Sequence, residues 1–315
     1  MKKALVIGAN GFLGSNLTKR LALLEVEVVA LVDARFDYSF LKDNPKIRCL
    51  EFELSQLNSL DKHPTLKGSE VIYHMAWSGV STTLKNEVDV QTENIMYSLS
   101  VMQFAQRNKI NKVVMPGSAS EYSLGEGAIS GNNIPAPSDM YAASKVATRM
   151  LCQTYAKQYQ IDFIWMIVTS VYGPGRNDNN LITYTVKSLL NAECPRFTRL
   201  EQLWDYIYID DLVSAFIAIG EKGVGGKVYP VGSGIYHPMS MYVDIIRNLI
   251  DPALPLDIGC LPYKNEKIDN QIMDISELTE DTGFRPCFSF EEGIGQTIAY
   301  FKQVNQYEKE DITYS

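Results

Sequence analysis

The glycine-rich stretch at the start of the chain constrains the fold more than any other feature. A short apolar run, Ala4–Ile7, is followed by Gly8, Gly11 and Gly14. Apolar side chains then recur at helical spacing, at Leu13, Leu17, Leu21 and Leu24. The pattern predicts a strand, a tight turn and a helix, and the N–H groups and dipole at such a helix start favour a pyrophosphate. We therefore predict a dinucleotide site, the alternative being an ordinary turn that happens to be rich in glycine.

The second predicted strand supports a dinucleotide site at the turn. It covers Val26–Val32 and ends in Asp33, nineteen residues after Gly14. An acidic side chain at this position can hold the hydroxyls of an adenosine ribose. Asp33 would also repel a 2′-phosphate, which favours NAD, whereas Arg35 is near enough to receive that phosphate. The sequence therefore favours NAD slightly and leaves NADP open.

Length, charge and cysteine usage limit the classes of partner. The 315 residues suffice for one large α/β domain and a smaller lobe. The net charge of -8 and the lack of any Lys/Arg run longer than two argue against nucleic acid, but a small anionic substrate is compatible. No apolar run approaches the roughly 20 residues that a membrane helix needs. The five cysteines form no C-x-x-C pair and the three histidines lack ligand spacing, so we expect a cytoplasmic protein without structural metal.

Strands and helices alternate along the first 175 residues. Further strands are predicted at 47–54, 71–76, 112–115 and 163–168, and a helix is predicted from Glu93 to Gln106. This spacing suits parallel crossovers and predicts an α/β fold with a doubly wound parallel sheet. Beyond Gly175 the pattern becomes irregular, which predicts a smaller C-terminal substrate-binding lobe. We assign 1–175, with 204–233 returning to it, to the dinucleotide-binding domain, and 176–203 and 234–315 to the lobe.

Three side chains in the middle of the chain suggest the chemistry. Tyr141 and Lys145 are four residues apart on a predicted helix, so they share one face. A nearby ammonium lowers the pKa of a phenol, which would make Tyr141 an acid/base group. Ser118 follows the fifth strand, where its hydroxyl can bind the same substrate oxygen. The alternative for the Tyr–Lys pair is an ordinary solvated pair on a helix surface.

Taken together, these motifs resemble the extended short-chain dehydrogenase/reductase family, which modifies nucleotide sugars. The matching segments extend over almost the whole chain. They are Gly8-Ala-Asn-Gly11-Phe-Leu-Gly14, His74-Met-Ala76, Asn94, Ser118-Ala-Ser120, Tyr141-Ala-Ala-Ser-Lys145, Val171-Tyr-Gly-Pro-Gly175, Asn180-Leu-Ile182 and Tyr206-Ile-Tyr-Ile-Asp210-Asp211. The resemblance implies a Rossmann fold, catalysis by Ser118, Tyr141 and Lys145, and a homodimer formed by the helices near 95–106 and 141–157.

The resemblance also implies ligand-binding residues. For NAD or NADP these are Gly8, Asn10, Gly11, Phe12, Leu13, Gly14, Asp33, Met75, Ala76, Asn94, Tyr141 and Lys145. For a nucleotide-linked sugar they are Ser120, Asn180, Trp204 and Lys264. Hydride would pass between a sugar carbon and the nicotinamide while Tyr141 exchanges the hydroxyl proton.

Departures from the family pattern narrow the reaction. Ala119-Ser120 stand where the family's dehydratases have an Asp-Glu pair, which argues against a 4,6-dehydratase. Trp204 and Lys264 replace two frequent arginines and weaken the expected diphosphate contacts, although Arg176, Arg196 and Arg199 could substitute for them. We therefore expect a reductase or an epimerase. The alternatives are a reductase of a smaller carbonyl compound and a non-catalytic dinucleotide-binding sensor.

Overall fold

A computed structural model describes residues 1–80, 83–123, 127–263 and 270–313, with side chains to residue 304. Its strands are β1 Lys3–Ile7, β2 Glu27–Val32, β3 Ile47–Glu51, β4 Val71–His74, β5 Lys112–Pro116, β6 Asp162–Val168, β7 Ser170–Tyr172, β8 Arg196–Phe197, β9 Leu203–Tyr208, β10 Val228–Val231, β11 Tyr236–Pro238 and β12 Asp257–Ile258. Its helices are α1 Phe12–Leu23, α2 Ser39–Lys42, α3 Val88–Asn108, α4 Met140–Tyr159, α5 Leu181–Leu190, α6 Ile209–Lys222, α7 Met239–Ile250, α8 Ser276–Thr282 and α9 Phe290–Thr313.

Seven parallel strands form the central sheet. Their order is β10-β6-β5-β4-β1-β2-β3, and all neighbouring pairs are parallel. Strands β2 and β3 are added on one side of β1, and the later strands are added on its other side, beginning with β4. Strands β1, β2 and β4 are buried on both faces apart from the first residues of β1 and β2, as expected when helices cover a parallel sheet on each side, whereas the edge strand β3 is partly exposed. One apolar core includes side chains of α1 and α6, and the other includes side chains of α3 and α4. The predicted doubly wound α/β fold is confirmed.

Smaller sheets lie beyond the central one. A three-stranded sheet has the order β11-β9-β7, and β12 pairs with β8. Strand β9 therefore belongs to the smaller sheet, although we expected residues 204–208 to return to the large domain. Helix α6 and strand β10 do return to it, because β10 forms the edge of the central sheet beside β6. The fully buried Asp205 links the two parts, since its carboxylate accepts hydrogen bonds from the backbone N–H groups of Ser233 and Gly234.

Several predicted element boundaries differ from the structure, and the clearest differences are those of β3 and α3. Strand β3 ends at Glu51 rather than at residue 54, and short 3-10 turns follow it. Helix α3 begins at Val88, five residues before Glu93. Its first turns contain the buried polar side chains of Gln91 and Asn94, which interrupt the apolar repeat. Within the described residues, no helix is long and apolar enough to cross a membrane.

The glycine turn between β1 and α1 is packed too closely for larger side chains. Gly8 has a φ of +80°, and a Cβ on it would lie 2.7 Å from the backbone nitrogen of Ala76. A Cβ on Gly14 would lie 2.1 Å from the carbonyl oxygen of Gly8. The missing side chains therefore let the first turn of α1 rest directly on the end of β1, which fixes the position of the helix start.

Replacing Gly14 with alanine should destabilise the protein. The added methyl must push α1 away from Gly8, so we expect Gly14→Ala to lower the free energy of unfolding by about 1–3 kcal/mol. Chemical denaturation measures the change. Gly295→Ala is the matched control, because a Cβ there meets no atom within 4 Å and alanine favours the helix. Equal stability of Gly14→Ala and the parent protein would contradict the packing argument.

Candidate active site

A cavity of about 640 Å³ opens at the carboxyl ends of the central strands. The start of α1, the segments after β4, β5 and β6, and the first turns of α4 contribute to its walls. It brings together nine of the residues predicted from the sequence: Gly11, Phe12, Leu13, Gly14, Met75, Ser118, Ser120, Tyr141 and Lys145. The glycine turn and the predicted catalytic residues thus face the same space.

The start of α1 provides the anion-binding end of this cavity. Gly11 is the N-cap residue, and no side chain caps the helix there. The backbone from Gly11 to Gly14 lines the cavity, and a Cβ on Gly11 would approach only the Gly8 oxygen, at 3.5 Å. Free helix-start N–H groups and an unobstructed approach are what a pyrophosphate needs. The residues at this turn therefore fit a dinucleotide.

Asn10 and Asp33 lie behind the helix start rather than in the cavity wall. The Asn10 amide donates to the Asp33 carbonyl oxygen at 2.9 Å and accepts from the Asp33 N–H at 3.2 Å. The Asp33 carboxylate accepts from the Arg35 guanidinium at 2.6 and 2.9 Å. Hydrogen bonding to Arg35 lowers the pKa of Asp33 below its usual range. Asn10 therefore holds the end of β2, and the half-buried Asp33 carboxylate is paired with the Arg35 cation.

Asn94 holds the segment that follows β4. Its side chain accepts from the Ser78 N–H at 2.9 Å and donates to the Ser78 carbonyl at 2.8 Å. The neighbouring Gln91 donates to the Gly79 carbonyl and accepts from the Trp77 indole at 3.2 Å. Both amides are buried. Asn94 therefore supports the cavity wall from behind, and Trp77, which the sequence analysis missed, faces the cavity.

Ser118 lies at the end of β5, where it caps a short 3-10 turn. Its hydroxyl oxygen is 2.8 Å from that of Ser120 and accepts from the Ser120 N–H at 3.2 Å. Both hydroxyls line the cavity. The turn therefore presents two neighbouring hydroxyls on the same side as Tyr141.

Tyr141 and Lys145 enter the cavity from the first turns of α4. Asp139 caps this helix by accepting from the Ala142 N–H at 2.8 Å. The Lys145 ammonium donates to the Pro116 carbonyl at 2.8 Å and lies 3.5 Å from the centre of the Trp77 ring. It is 5.8 Å from the centre of the Tyr141 ring. The amine and the phenol are neighbours, but the ammonium points to other partners.

The pKa values of this pair differ from the sequence-based expectation. Burial raises the pKa of Tyr141 to about 12, and the interaction with Ser118 opposes this only in part. Burial lowers the pKa of Lys145 to about 7, against the attraction of the Glu121 carboxylate. The expected lowering of the phenol pKa by Lys145 is therefore wrong for this structure: desolvation has the largest effect on the pKa of Tyr141, and the groups that lower it are Ser118 and Arg176. Tyr141 is a protonated phenol at neutral pH.

Two of the predicted substrate-binding residues, Asn180 and Trp204, do not line the cavity. The Asn180 side chain caps α5 by accepting from the N–H groups of Ile182 and Thr183, and it does not line the cavity. The Trp204 indole donates to the Ser170 hydroxyl at 2.9 Å and also lies outside the lining. Lys264 falls outside the described residues. These two side chains are thus occupied by internal hydrogen bonds.

Polar residues other than Asn180 and Trp204 line the cavity. Arg176 lines it, and its guanidinium is paired with Asp178 at 2.6 and 2.7 Å. Arg196 and Arg199, the other proposed substitutes, pair with exposed acids elsewhere. Gln271 also lines the cavity and donates to the Thr169 hydroxyl at 2.6 Å. Nothing in the sequence around Gln271 marks it, because only the tertiary fold brings it to β6.

Comparison with known proteins identifies the family. The model of the NAD dependent epimerase/dehydratase family matches residues 4–232. The chain belongs to this family. The expected membership of the extended short-chain dehydrogenase/reductases and the expected enzymatic nature are therefore confirmed. In the part of the chain that the structure describes, no group of three or more His, Cys, Asp or Glu side chains is arranged to hold a metal ion.

Similar proteins include both epimerases and dehydratases. The UDP-glucose 4-epimerase of Mycolicibacterium smegmatis is 26% identical over 96% of this chain and 100% of its own length. The crystal structure of UDP-glucuronic acid 4-epimerase from Bacillus cereus, in complex with UDP-glucuronic acid and NAD, has a TM-score of 0.83 at 23% identity, with 96% and 99% of the two chains covered. That of dTDP-glucose 4,6-dehydratase from Bacillus anthracis, with NAD, has a TM-score of 0.85 at 18% identity, with 98% of each covered.

The buried Lys145 should make stability depend on pH. Its pKa is about 7 in the folded protein against 10.5 ordinarily, so between these values the unfolded chain binds more protons and stability rises with pH. We expect the free energy of unfolding of the parent protein to increase relative to that of Lys145→Met as the pH rises above about 7. Urea denaturation across this range measures it, with Lys157→Met, at an exposed position of the same helix, as control. A pH-independent difference would refute the shift.

Proposed function

We propose that the protein uses NAD to reduce or epimerise a nucleotide-linked sugar by hydride transfer, with Tyr141 as the acid/base group. One observation carries the proposal: a single cavity joins the uncapped start of α1 to Ser118, Tyr141 and Lys145. A dinucleotide with its pyrophosphate at α1 would extend along this cavity towards the three side chains. Family membership and the nucleotide-sugar substrates named for the similar epimerases support the proposed substrate class.

NAD is the proposed cofactor for two reasons. The Asp33 carboxylate stands at the end of β2, where it would repel the 2′-phosphate of NADP. The similar structures from Bacillus cereus and Bacillus anthracis contain NAD. Arg35 is already paired with Asp33, which reduces its capacity to attract a second anion. Calorimetric titration with NAD and with NADP compares the two cofactors directly.

Tyr141 and Ser118 would have different roles at the reacting oxygen of the sugar. When bound, the oxidised cofactor NAD+ would supply an acceptor for the hydride of the reacting sugar carbon, and the reduced cofactor NADH would supply a hydride donor. Tyr141, a protonated phenol at neutral pH, can donate its proton to a carbonyl oxygen that is being reduced. The Ser118 hydroxyl can hydrogen-bond the same oxygen. The oxidative direction needs the phenolate form of Tyr141, which a cationic cofactor bound in this cavity would favour by lowering the pKa of the phenol. The phenolate would then accept the hydroxyl proton of the sugar, so that the same residue serves both halves of an epimerisation.

Elimination of water is disfavoured by the residues after Ser118. A dehydratase needs an acid at this part of the cavity, but Ala119 and Ser120 occupy the two positions that follow. The nearest carboxylate in sequence, that of Glu121, is fully buried and accepts hydrogen bonds from Ser118 N–H and Trp165. It therefore does not face the cavity. We propose a reductase or an epimerase and not a dehydratase.

The phenol of Tyr141 should be essential for turnover but not for cofactor binding. We expect Tyr141→Phe to lower kcat by about 100-fold to 10,000-fold, the range typical of general acid–base groups, while NAD binding is retained. UDP- and dTDP-linked glucose and glucuronic acid, and their 4-keto forms, are the test substrates. Tyr155→Phe is the matched control, because this tyrosine lies on the same helix and its hydroxyl contacts Gln106 at 3.1 Å.

Each outcome discriminates between the proposals. Full turnover by Tyr141→Phe would overturn the assignment of Tyr141. Stoichiometric consumption of NADH identifies a reductase, whereas product formation without net NADH consumption identifies an epimerase. Titration with free UDP and dTDP tests the nucleotide: binding supports a nucleotide-linked substrate, and turnover of small ketones without such binding points to a smaller carbonyl compound. NAD binding with no turnover on any substrate would favour a non-catalytic sensor.

We also propose that the protein is a homodimer formed by α3 and α4. These helices pack against each other on one face of the sheet, and their outer surfaces leave large apolar side chains in solvent. Met96 is 59% exposed, Met150 is 55% exposed and Leu151 is 46% exposed. Apolar side chains grouped on adjacent helices are typical of a surface that is covered by a partner.

Charged substitutions on this surface should separate the dimer. We expect the double variant Met96→Glu/Met150→Glu to be monomeric, because association would bury unpaired carboxylates. Size-exclusion chromatography with light scattering measures the mass of each variant. Val224→Glu is the control, since Val224 is 44% exposed but lies after α6, away from α3 and α4. A monomeric parent protein, or a dimer that survives both substitutions, would disprove the proposed interface.

A further inference from the structure

A buried ion pair lies directly beneath the catalytic side chains, and the mechanism above does not use it. Glu121 is 0% exposed and Arg149 is 6% exposed. Their charged atoms are 3.9 Å apart. Glu121 comes from the 3-10 turn that Ser118 begins, and Arg149 lies one turn of α4 beyond Lys145. The pair is therefore built from the same two elements as the catalytic residues.

The contacts of Glu121 match a carboxylate that has lost its proton. One oxygen accepts from the Ser118 N–H at 2.8 Å, and the Trp165 indole donates to both oxygens at 3.1 and 3.3 Å. With Arg149, every partner that the structure gives to this carboxyl group is a donor. A protonated carboxyl would need an acceptor for its own hydrogen. The surroundings therefore select the ionised form, even though burial raises the pKa of Glu121.

The chain leaves space for this carboxylate at Gly117. A Cβ on Gly117 would lie 2.3 Å from the Glu121 carboxylate and 2.1 Å from the Trp165 indole nitrogen. Immediately before Gly117, the Pro116 carbonyl accepts from the Lys145 ammonium. Immediately after it, the Ser118 N–H donates to Glu121. The segment 116–118 is thus held at one end by a catalytic cation and at the other end by a buried anion.

We propose that Glu121, held as a carboxylate by Arg149, is a positioning residue that orients Ser118 and keeps Lys145 charged beside Tyr141. The catalytic role of these three residues rests on the proposed function, but the coupling of their charges to Glu121 does not. The proposal accounts for two otherwise costly features, a buried anion and a buried guanidinium next to an active-site turn. Arg149 also donates to the Tyr122 hydroxyl at 2.6 Å, which fixes the end of the same turn.

Several charged and titratable groups surround Glu121, Tyr141 and Lys145. Their charges determine the direction in which the pKa of Tyr141 and of Lys145 should move in each variant. These groups are Arg149, Lys145, Tyr141 and Tyr122 around Glu121, Asp139, Lys85 and Arg176 around Tyr141, and His74 around Lys145. Removing the negative charge of Glu121 favours a phenolate and disfavours an ammonium, so it lowers the pKa of both Tyr141 and Lys145. Removing Arg149 lets the buried Glu121 take up a proton, so its negative charge is lost in that variant as well. The two substitutions therefore shift the pKa of Lys145 in the same direction.

The titration of Lys145 tests the proposal without any substrate. In lysine-labelled protein, the Lys145 NMR signal is assigned by its loss in Lys145→Arg, and its pKa is read from a pH series. We expect the pKa to fall by about one unit in Glu121→Gln, and to fall in Arg149→Met and in the double variant as well, because Glu121 loses its charge when Arg149 is absent. The pH profile of turnover should move in the same directions.

A structural role alone predicts a different result. If Glu121 served only to hold the turn, the Lys145 pKa would be the same in every variant that folds, and that outcome would overturn the proposal. A rise of the Lys145 pKa in Arg149→Met would also overturn it, because Glu121 would then have kept its charge without Arg149. If Glu121→Gln does not fold, Arg149→Met and the double variant decide the question. Failure of the parent protein to bind NAD would refute the proposed function, while the Lys145 titration would still test the charge coupling.

Discussion

The contact between Gly14 and the Gly8 carbonyl is the constraint on which the site depends. It brings the start of α1 against the end of β1, and the +80° φ of Gly8 turns the chain beside Ala76. The uncapped N–H groups of the helix therefore point along the carboxyl ends of the central strands, where the segments after β4, β5 and β6 also end. The order of the parallel strands then determines which side chains share that space.

Burial controls the chemistry of the catalytic side chains more strongly than their mutual attraction does. The Lys145 ammonium is held between a carbonyl oxygen and an indole ring, and Tyr141 lies in the wall beside it. Both groups lose hydration, so the neutral form of each is favoured. The ionised Glu121 opposes this effect on the lysine. A cationic ligand beside the phenol would lower the pKa of Tyr141 and so favour the phenolate.

Features of the fold and site that depend on local patterns were predictable from the sequence. The glycine spacing, the alternation of strands with helices and the four-residue interval between Tyr141 and Lys145 each follow from helix or strand periodicity. The cap at Asp139 fits the preference of N-cap positions for Ser, Thr, Asp and Asn, whose side-chain oxygen accepts a helix-start N–H. These signals need no knowledge of which elements meet in space.

What the sequence did not predict depends on tertiary contacts. Asn180 and Trp204 were expected at the substrate, yet one caps α5 and the other is bonded to Ser170. Gln271 reaches the cavity from a distant part of the chain. The direction of the Tyr141 pKa was wrong because spacing along a helix reports proximity but not desolvation. Polar side chains have several possible partners, and only the folded chain selects among them.

The position of Trp77 gives the protein an intrinsic optical signal. The chain contains three tryptophans, of which Trp165 is sealed in the core and Trp204 lies outside the cavity lining. Trp77 alone of the three faces the cavity, with the Lys145 ammonium against its ring. Indole emission responds to nearby charge and to water. The fluorescence of this one ring therefore reports when the space beside the lysine becomes filled.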